Sequence, residues 1–266
     1  MILSVTAPDD PRLEPYRRVG DHMWLRSQGV FVAEGRLLLE RLVAARKYEI
    51  ESVLLSPAAL DALRPVTEQI DSPVYIARQE ILRELTGFNF HRGCLALARK
   101  PAPAALDELL GATRLLGLEG IGNPDNIGGV FRAAAAFDVD GILLNDTSGD
   151  PFYRKALRTS MGAVLHVPFA SLPDWHHGWE RLRQAGFTIV ALTTDPRAIP
   201  LDRFAADVSP QDRLFLVAGA EGSGLSEASL ARAGAHVTIP ISVAVDSLNV
   251  TVAVAIALSR LCRIIG

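Results

Sequence analysis

The stretch "RLLGLEGIGNPDNIGGVFRAAAAFDVDGILLND", residues 114–146, contains the pattern that decides the fold. An apolar run at 114–119 ends in a polar, glycine-rich loop at 120–126. A helical pattern follows and leads to a second apolar run at 141–144. Strands that are apolar on both faces and alternate with helices are typical of a parallel sheet covered by helices. The stretch therefore predicts an α/β protein.

The same alternation continues towards the C-terminus, with further apolar runs in "TIVALTT", "RLFLVAGA" and "HVTIPIS". It predicts one mostly parallel sheet over residues 113–266. Upstream, short apolar strands separated by helical periodicity predict a smaller α/β domain over residues 31–100. These strands are expected at about 31–33, 51–56, 73–77 and 93–98. The proline- and alanine-rich residues 101–112 are predicted to be a linker, and residues 1–30 an N-terminal extension.

Composition excludes several classes of protein. Of the 266 residues, 49% are hydrophobic and 21% charged, which suits one large or two modest domains. The net charge of -3 argues against nonspecific polyanion binding, although a local basic surface is compatible with it. Two cysteines, Cys94 and Cys262, are too few for a zinc site, so no metal is expected. Without a leader pattern or an apolar run of roughly 18 residues, we expect a cytoplasmic protein with no membrane partner.

Polar residues collect in three loops that follow predicted strands. The loops are "GIGNPDN", "GAEGSGLS" and "IPISVAVDSLNV", which begin at residues 120, 219 and 239. Ligands of parallel sheets bind beyond the carboxyl ends of the strands, so these loops predict one common site. Its candidate residues are Asn126, Arg132, Glu221, Ser247 and Asn249. Ser247 also precedes an apolar helical run and could cap it.

Three common motifs nearly fit these loops and fail. A P-loop would need Lys at Leu225, and a serine nucleophile elbow would need Gly at Glu221. A dinucleotide fingerprint that begins at Gly120 has Asp125 in place of its third small residue. One alternative stays open at this point: a methyltransferase or dehydrogenase on a Rossmann-type sheet, with Glu119 near the ribose.

In this order, "NPDNIGGVFRAAAAF", "GAEGSGLS" and "IPISVAVDSLNVTVA" resemble the three motifs of the SpoU (TrmH) family of RNA 2'-O-methyltransferases. The resemblance covers residues 115–266 and includes "RKALRTSMGAVLHVPF". It departs from the family pattern at Asn123, where Asp is common, and at Asp138, where Gly is usual.

The resemblance implies S-adenosylmethionine as methyl donor, a trefoil knot within the parallel sheet, and a homodimer formed through the knotted segments. It implies that backbone of the second and third motifs lines the donor pocket, which identifies Gly219, Ile239 and Leu248 as cofactor-binding residues.

The upstream domain resembles a substrate-binding domain that some of these enzymes share with ribosomal RNA-binding proteins. The resembling pieces are "FVAEG" and "FNFHRGCLALA", and they imply RNA, most often ribosomal RNA, as partner. Basic residues are expected to contact phosphates without reading the RNA sequence. They are Arg154, Lys155 and Arg158, together with Arg17, Arg18 and Arg26 near the N-terminus.

The two resemblances together imply an enzyme that transfers a methyl group from S-adenosylmethionine to a ribose 2'-hydroxyl of ribosomal RNA, with transfer RNA as the alternative substrate. A noncatalytic RNA-binding protein that assists ribosome assembly is the other alternative that stays open. The equivalent of Arg132 is regarded in the family as catalytic. Because arginine stays protonated, we expect Arg132 to grip a phosphate and stabilise the developing oxyanion rather than act as base. Asn126 is expected to position the ribose or Arg132, and Glu221 to orient Arg132 or loop amides. The family equivalents of Ser247 and Asn249 hold the substrate-side geometry.

Overall fold

The computed structural model describes residues 1–86, 93–102 and 104–262, and the chain divides into two compact units. The first unit comprises the described residues of 1–102 together with 152–165. The second comprises the described residues of 103–151 and 166–266. This grouping differs from the predicted boundaries, because residues 1–30 and 152–165 both supply side chains to the first unit.

The described residues form strands and helices that alternate along most of the chain. The strands are β1 (Ile2–Val5), β2 (Val30–Glu34), β3 (Ile50–Leu55), β4 (Val74–Ala77), β5 (Cys94–Arg99), β6 (Arg114–Glu119), β7 (Gly141–Asn145), β8 (Phe169–Leu172), β9 (Thr188–Leu192), β10 (Ile199–Pro200), β11 (Leu214–Gly219) and β12 (Ala235–Thr238). The helices are α1 (Glu14–Arg17), α2 (His22–Ser27), α3 (Arg36–Ala45), α4 (Pro57–Thr67), α5 (Gln79–Thr86), α6 (Leu106–Leu109), α7 (Pro124–Ala136), α8 (Arg154–Thr159), α9 (Trp175–Gln184), α10 (Leu201–Ala206), α11 (Glu227–Arg232) and α12 (Val250–Leu261).

The first unit is built on a mixed five-stranded sheet with the order β1-β4-β3-β5-β2. Strands β1, β4 and β3 are parallel, whereas β5 runs antiparallel to both β3 and β2. The four predicted strands of this domain are confirmed as β2 to β5. Strand β1 was not predicted, and it lies in the segment expected to be an extension. Of the resembling piece "FNFHRGCLALA", residues 88–92 lie outside the described part of the chain.

Two segments outside the predicted domain complete the core of the first unit. From the N-terminal segment, Leu13 and Tyr16 are fully buried, and the Tyr16 hydroxyl is hydrogen-bonded to Ser52 at 2.8 Å. From the returning segment, the ring of Phe152 packs on that of Phe31 with centroids 4.7 Å apart. The first unit therefore needs residues that follow β7 in the chain.

The second unit contains a seven-stranded sheet with the order β10-β12-β9-β11-β6-β7-β8, and every neighbouring pair in it is parallel. The predicted parallel sheet is confirmed. The short strands β8 and β10 were not predicted. The trefoil knot stays a prediction. Because the strands are parallel, the loops that follow β6, β11 and β12 leave the sheet at the same edge.

Aromatic and aliphatic side chains fill one face of this sheet. Trp175 and Trp179 of α9 pack with Phe215 of β11, with ring centroids 5.6 to 6.0 Å apart. The predicted linker contributes to this core, because Leu106 and Leu109 of α6 are buried in it. Within the described residues, no helix is long and apolar enough to cross a membrane.

Candidate functional site

The side chain of Asn249 joins the three predicted loops. Its Nδ2 donates to Asn126 Oδ1 at 3.0 Å and to Glu221 Oε1 at 2.6 Å. Asn126 lies on α7 after β6, and Glu221 lies in the turn after β11. The structure thus brings together three of the five residues predicted to be catalytic.

Asn249 also caps the helix that follows it. Helix α12 begins at Val250, and Asn249 Oδ1 accepts a hydrogen bond from the backbone N–H of Thr251 at 3.0 Å. The suggestion that Ser247 caps this helix is wrong, because Ser247 lies two residues before the N-cap position. The amide of Asn249 satisfies both needs, since its oxygen caps α12 while its nitrogen holds the neighbouring loops.

Asn126 is held in a defined orientation near the start of α7. The helix begins at Pro124, and Asn123 caps it by accepting from the backbone N–H of Asp125 at 2.9 Å. Only 6% of Asn126 is exposed, and its Oδ1 is taken up by Asn249. Among the described residues no acceptor bonds its Nδ2. Asn126 therefore keeps an oriented donor for a ligand.

The turn after β11, residues 219–225, depends on its glycines. Gly224 N–H donates to Ala220 O at 2.9 Å, and both Gly222 and Gly224 have positive φ angles, 89° and 67°. A Cβ on Gly219 would lie 2.2 Å from the carbonyl carbon of Gly224, so only glycine fits there. This tight turn presents Glu221 at its exposed tip.

Arg132 and Ser247 are exposed, and neither forms a side-chain hydrogen bond or ion pair with the rest of the described chain. Arg132 lies on α7, the helix that carries Asn126. Its guanidinium therefore has all of its donors available to a ligand. The catalytic roles of Arg132 and Ser247 stay predictions.

The three predicted cofactor-binding residues all lie at the carboxyl edge of the second unit's sheet. Gly219 ends β11, Ile239 directly follows β12, and Leu248 directly precedes Asn249. All three are half-buried. Within the described part of the chain, the backbone N–H groups of Ser247 and Leu248 form no hydrogen bonds. These amides can therefore donate to a ligand.

Glu119 was considered only as a ribose contact in the alternative enzyme, and the structure opposes that role. It is 8% exposed at the end of β6, and its carboxylate accepts hydrogen bonds from Trp175, Ser226 and Ser229. Burial alone would raise the pKa of Glu119, but these hydrogen bonds outweigh it and lower the pKa. The signal in the sequence was Glu119 itself, an acidic residue at the end of an otherwise apolar strand.

The residues predicted to bind RNA lie on α8, which belongs to the first unit. Arg154 Nη1 lies 2.9 Å from Glu34 Oε2, and Arg158 Nη1 lies 3.7 Å from the same oxygen. Glu34 is buried and neutralises part of their charge. Lys155 is exposed. Phosphate binding by these three residues stays a prediction.

The N-terminal arginines are also paired in part. Glu14 forms ion pairs with Arg17 at 2.8 Å and with Arg18 at 2.7 Å, and Arg26 is exposed. Across the described ranges, no group of three His, Cys, Asp or Glu residues is placed to hold a metal ion. Cys94 and Cys262 are both buried free thiols, as a role in core packing requires.

Comparisons with known proteins identify a matching family, similar sequences and similar folds. Residues 113–259 match the family model described as the SpoU rRNA Methylase family. The chain is 34% identical, over 96% of its length, to an uncharacterised tRNA/rRNA methyltransferase of Mycobacterium bovis, of which it covers 90%. An AdoMet-bound rRNA methyltransferase from Sinorhizobium meliloti has a similar fold, with a TM-score of 0.83 and 21% identity over 98% of this chain and 97% of that chain. An RNA 2'-O ribose methyltransferase has a TM-score of 0.75 and 24% identity, with 98% of both chains covered.

The match to the family model spans more than half of the chain, and it includes the three loops that meet at Asn249. The relative from Mycobacterium bovis extends the similarity to nearly the whole length, including the first unit. The chain therefore belongs to the SpoU rRNA methylase family.

Proposed function

We propose that this protein is an S-adenosylmethionine-dependent enzyme that methylates a ribose 2'-hydroxyl of RNA, with ribosomal RNA as its substrate class. The observation that carries the proposal is the cluster of Asn126, Glu221 and Asn249 at the carboxyl edge of the parallel sheet. It is supported by the neighbours of similar fold, one an AdoMet-bound rRNA methyltransferase and one an RNA 2'-O ribose methyltransferase.

The proposed donor pocket fits S-adenosylmethionine by its backbone. When bound, the donor supplies an electrophilic methyl group on a sulfonium. Gly219, Ile239 and Leu248 would hold it, because the half-buried segment at Leu248 has unpaired amides that can donate to the ring nitrogens of an adenine. Gly219 adds no side chain, so the pocket wall at the end of β11 is bare backbone.

Arg132 and Asn126 are proposed to act on the RNA side. The 2'-oxygen forms its bond to the methyl carbon as the carbon–sulfur bond of the donor breaks, and the neutral thioether S-adenosylhomocysteine leaves. The 2'-oxygen also loses its proton, and negative charge develops on the oxygen as the proton leaves. Arg132 remains protonated, so it stabilises this charge and grips a neighbouring phosphate rather than taking the proton, which passes to water. Asn126 Nδ2, which is oriented and unpaired among the described residues, donates to the ribose.

The decisive experiment supplies methyl-labelled S-adenosylmethionine with undermodified ribosomal RNA and, separately, with transfer RNA. We expect label at one position of ribosomal RNA, and alkaline hydrolysis should fail to cleave the chain there because the 2'-oxygen is blocked. Label that maps to an alkali-sensitive position would refute ribose methylation. Label only on transfer RNA would select the alternative substrate.

The role of Arg132 is tested with Arg132→Lys, which keeps the charge and loses the bidentate fork. We expect the rate of methyl transfer to fall at least about tenfold, with the affinity for S-adenosylmethionine unchanged. Arg260→Lys is the matched control, because Arg260 lies on α12 and its one ion pair within the described part of the chain is with the exposed Asp202. Turnover of Arg132→Lys at the wild-type rate would rule out the fork.

A homodimer is also part of the proposal. Three valines of the third motif and α12 are exposed: Val243 fully, Val245 by 52% and Val252 by 46%. Burial of such apolar side chains against a second copy would be favourable. Sedimentation should show a dimer, and Val252→Glu should shift it towards the monomer. A wild-type monomer at micromolar concentration would contradict this part.

A further inference from the structure

Glu119 is a buried carboxylate whose hydrogen bonds the proposed chemistry does not use. Its Oε1 accepts from the backbone N–H of Ser226 at 2.9 Å. Its Oε2 accepts from Trp175 Nε1 at 2.9 Å and from Ser229 Oγ at 2.5 Å. His176 Nε2 lies 3.0 Å from the same Ser229 oxygen. Because the Ser229 hydroxyl donates its hydrogen to Glu119, it accepts a hydrogen bond from the imidazole. A carboxylate with three donors is strongly fixed.

Glu119 contacts both ends of the turn that carries Glu221. In the sheet, Glu119 is the register partner of Gly219, where the turn begins. Its side chain bonds the N–H of Ser226, the residue directly after the turn and the N-cap of α11. Both ends of residues 219–225 are therefore tied to one residue of the central strand.

The tip of the turn is connected to the candidate site. Glu221 accepts from Asn249, and Asn249 donates to Asn126. A displacement of the turn would move the Glu221 carboxylate away from Asn249 and would release the amide that orients Asn126. It would also shift Gly219, at the start of the turn, which is proposed to line the donor pocket.

We infer that Glu119 is a positioning residue, which fixes the turn 219–225 and through it sets both the donor pocket at Gly219 and the Glu221–Asn249–Asn126 cluster. The inference rests on the proposed function. Glu119 itself does not touch the reactants, since its carboxylate is directed into the protein between α9, α11 and the turn.

Glutamine at position 119 tests this because it has the same shape and cannot satisfy the same partners. Ser226 N–H and Trp175 Nε1–H lie on opposite oxygens of Glu119, and both can only donate. Whichever way the glutamine amide is turned, its NH2 group faces one of these donors. The mismatch leaves a buried donor unpaired and loosens the turn.

The experiment compares Glu119→Gln with Asp140→Asn, using the full chain. Asp140 is the matched control, because its carboxylate also accepts three hydrogen bonds, from Thr113 and Arg114, at the other end of β6. Titration calorimetry with S-adenosylmethionine should show a dissociation constant raised at least tenfold in Glu119→Gln and changed less than twofold in Asp140→Asn. A change below twofold in a folded Glu119→Gln would overturn the inference.

A double-mutant cycle separates positioning from a general loss of stability. If Glu119 acts on turnover through Glu221, then Glu119→Gln should reduce the single-turnover rate at saturating donor at least tenfold in the wild-type background. It should reduce the rate less than threefold in a Glu221→Gln background. An equal reduction in both backgrounds would mean that Glu119 acts only as a structural residue.

Two further measurements decide the remaining cases. If Glu119→Gln does not fold, Ser229→Ala removes one donor and should still raise the dissociation constant for S-adenosylmethionine at least threefold, and an unchanged constant would overturn the inference. If the wild-type protein binds no S-adenosylmethionine, the proposed function fails on its own. The fixing of the turn 219–225 by Glu119 is then measured by hydrogen exchange at the Ser226 amide. Exchange there should be at least tenfold faster in Glu119→Gln or, where that variant does not fold, in Ser229→Ala. Unchanged exchange would refute the inference.

Discussion

Replacement of Gly219 by alanine should destabilise the second unit by an amount that follows from the geometry of the turn. The added Cβ would lie 2.2 Å from the carbonyl carbon of Gly224 and 2.4 Å from the nitrogen of Leu225, whereas ordinary contacts begin at 3.4 Å. Both obstacles are backbone, so the two segments must separate by roughly 1 Å in a close-packed region. The hydrogen bond from Gly224 N–H to Ala220 O would then be lost.

The expected cost is about 2–3 kcal/mol. Overpacking contributes about 1–3 kcal/mol, and the lost hydrogen bond contributes about 1 kcal/mol. Alanine restricts the unfolded chain, which offsets about 0.4–1 kcal/mol of this. For a unit of this size, the thermal midpoint should fall by about 5–10 °C.

Urea unfolding followed by tryptophan fluorescence measures this change, because Trp175 and Trp179 lie in the core of the second unit. Gly111→Ala is the matched control: no atom lies within 4 Å of its added Cβ, and its stability should stay within about 0.5 kcal/mol of the wild type. If Gly219→Ala unfolds at the wild-type urea concentration, the close approach of Gly219 to Gly224 is not present in solution.

Three further predictions concern the polar clusters. Asn249→Asp keeps the helix cap but places a carboxylate against Glu221. The second unit should therefore lose about 1–2 kcal/mol of stability at pH 7 and regain part of it in acid. Equal urea midpoints at both pH values would contradict this. Glu34→Gln removes the buried carboxylate that lies against Arg154 and Arg158, so the first unit should lose about 1–3 kcal/mol of stability in chemical denaturation, less than for a fully buried pair because the Arg154 side chain is 26% exposed. The folded-state pKa of Glu119 lies below its ordinary value of 4.5. The stabilisation that Glu119 gives the folded state is therefore complete above pH 4.5 and is lost as the pH falls through the lowered pKa. The free energy of unfolding should fall more steeply with decreasing pH in the wild type than in Glu119→Gln.

The sequence predicted the parallel sheet because its central strands are apolar on both faces, a pattern that depends on local composition alone. It did not predict β1, whose four residues form a strand by pairing with β4, more than 60 residues later in the chain. It also did not assign residues 152–165 to the first unit, since nothing local shows that Phe152 packs on Phe31. What the sequence missed in the fold depends on contacts between distant segments.

The same distinction applies to the candidate site. Motif order identified Asn126, Glu221 and Asn249, and the structure brings their side chains together. Local reasoning offered Ser247 as a helix cap, but the helix starts where the Asn249 side chain can both cap it and reach two neighbouring loops. Such a choice between two polar residues is made by tertiary contacts, which capping preferences do not contain.

Glu119 and Glu221 have different surroundings and different roles at the turn 219–225. Glu119 is buried and accepts from three donors, so its contribution is to geometry, and it is costly to replace by any group that must also donate. Glu221 is exposed at the tip and, among the described residues, accepts from Asn249 alone, so it can exchange that partner for a ligand without leaving a buried charge unpaired. The proposed site, which admits RNA and holds the methyl donor, benefits from this separation because the rigid contact and the exchangeable contact lie on different side chains.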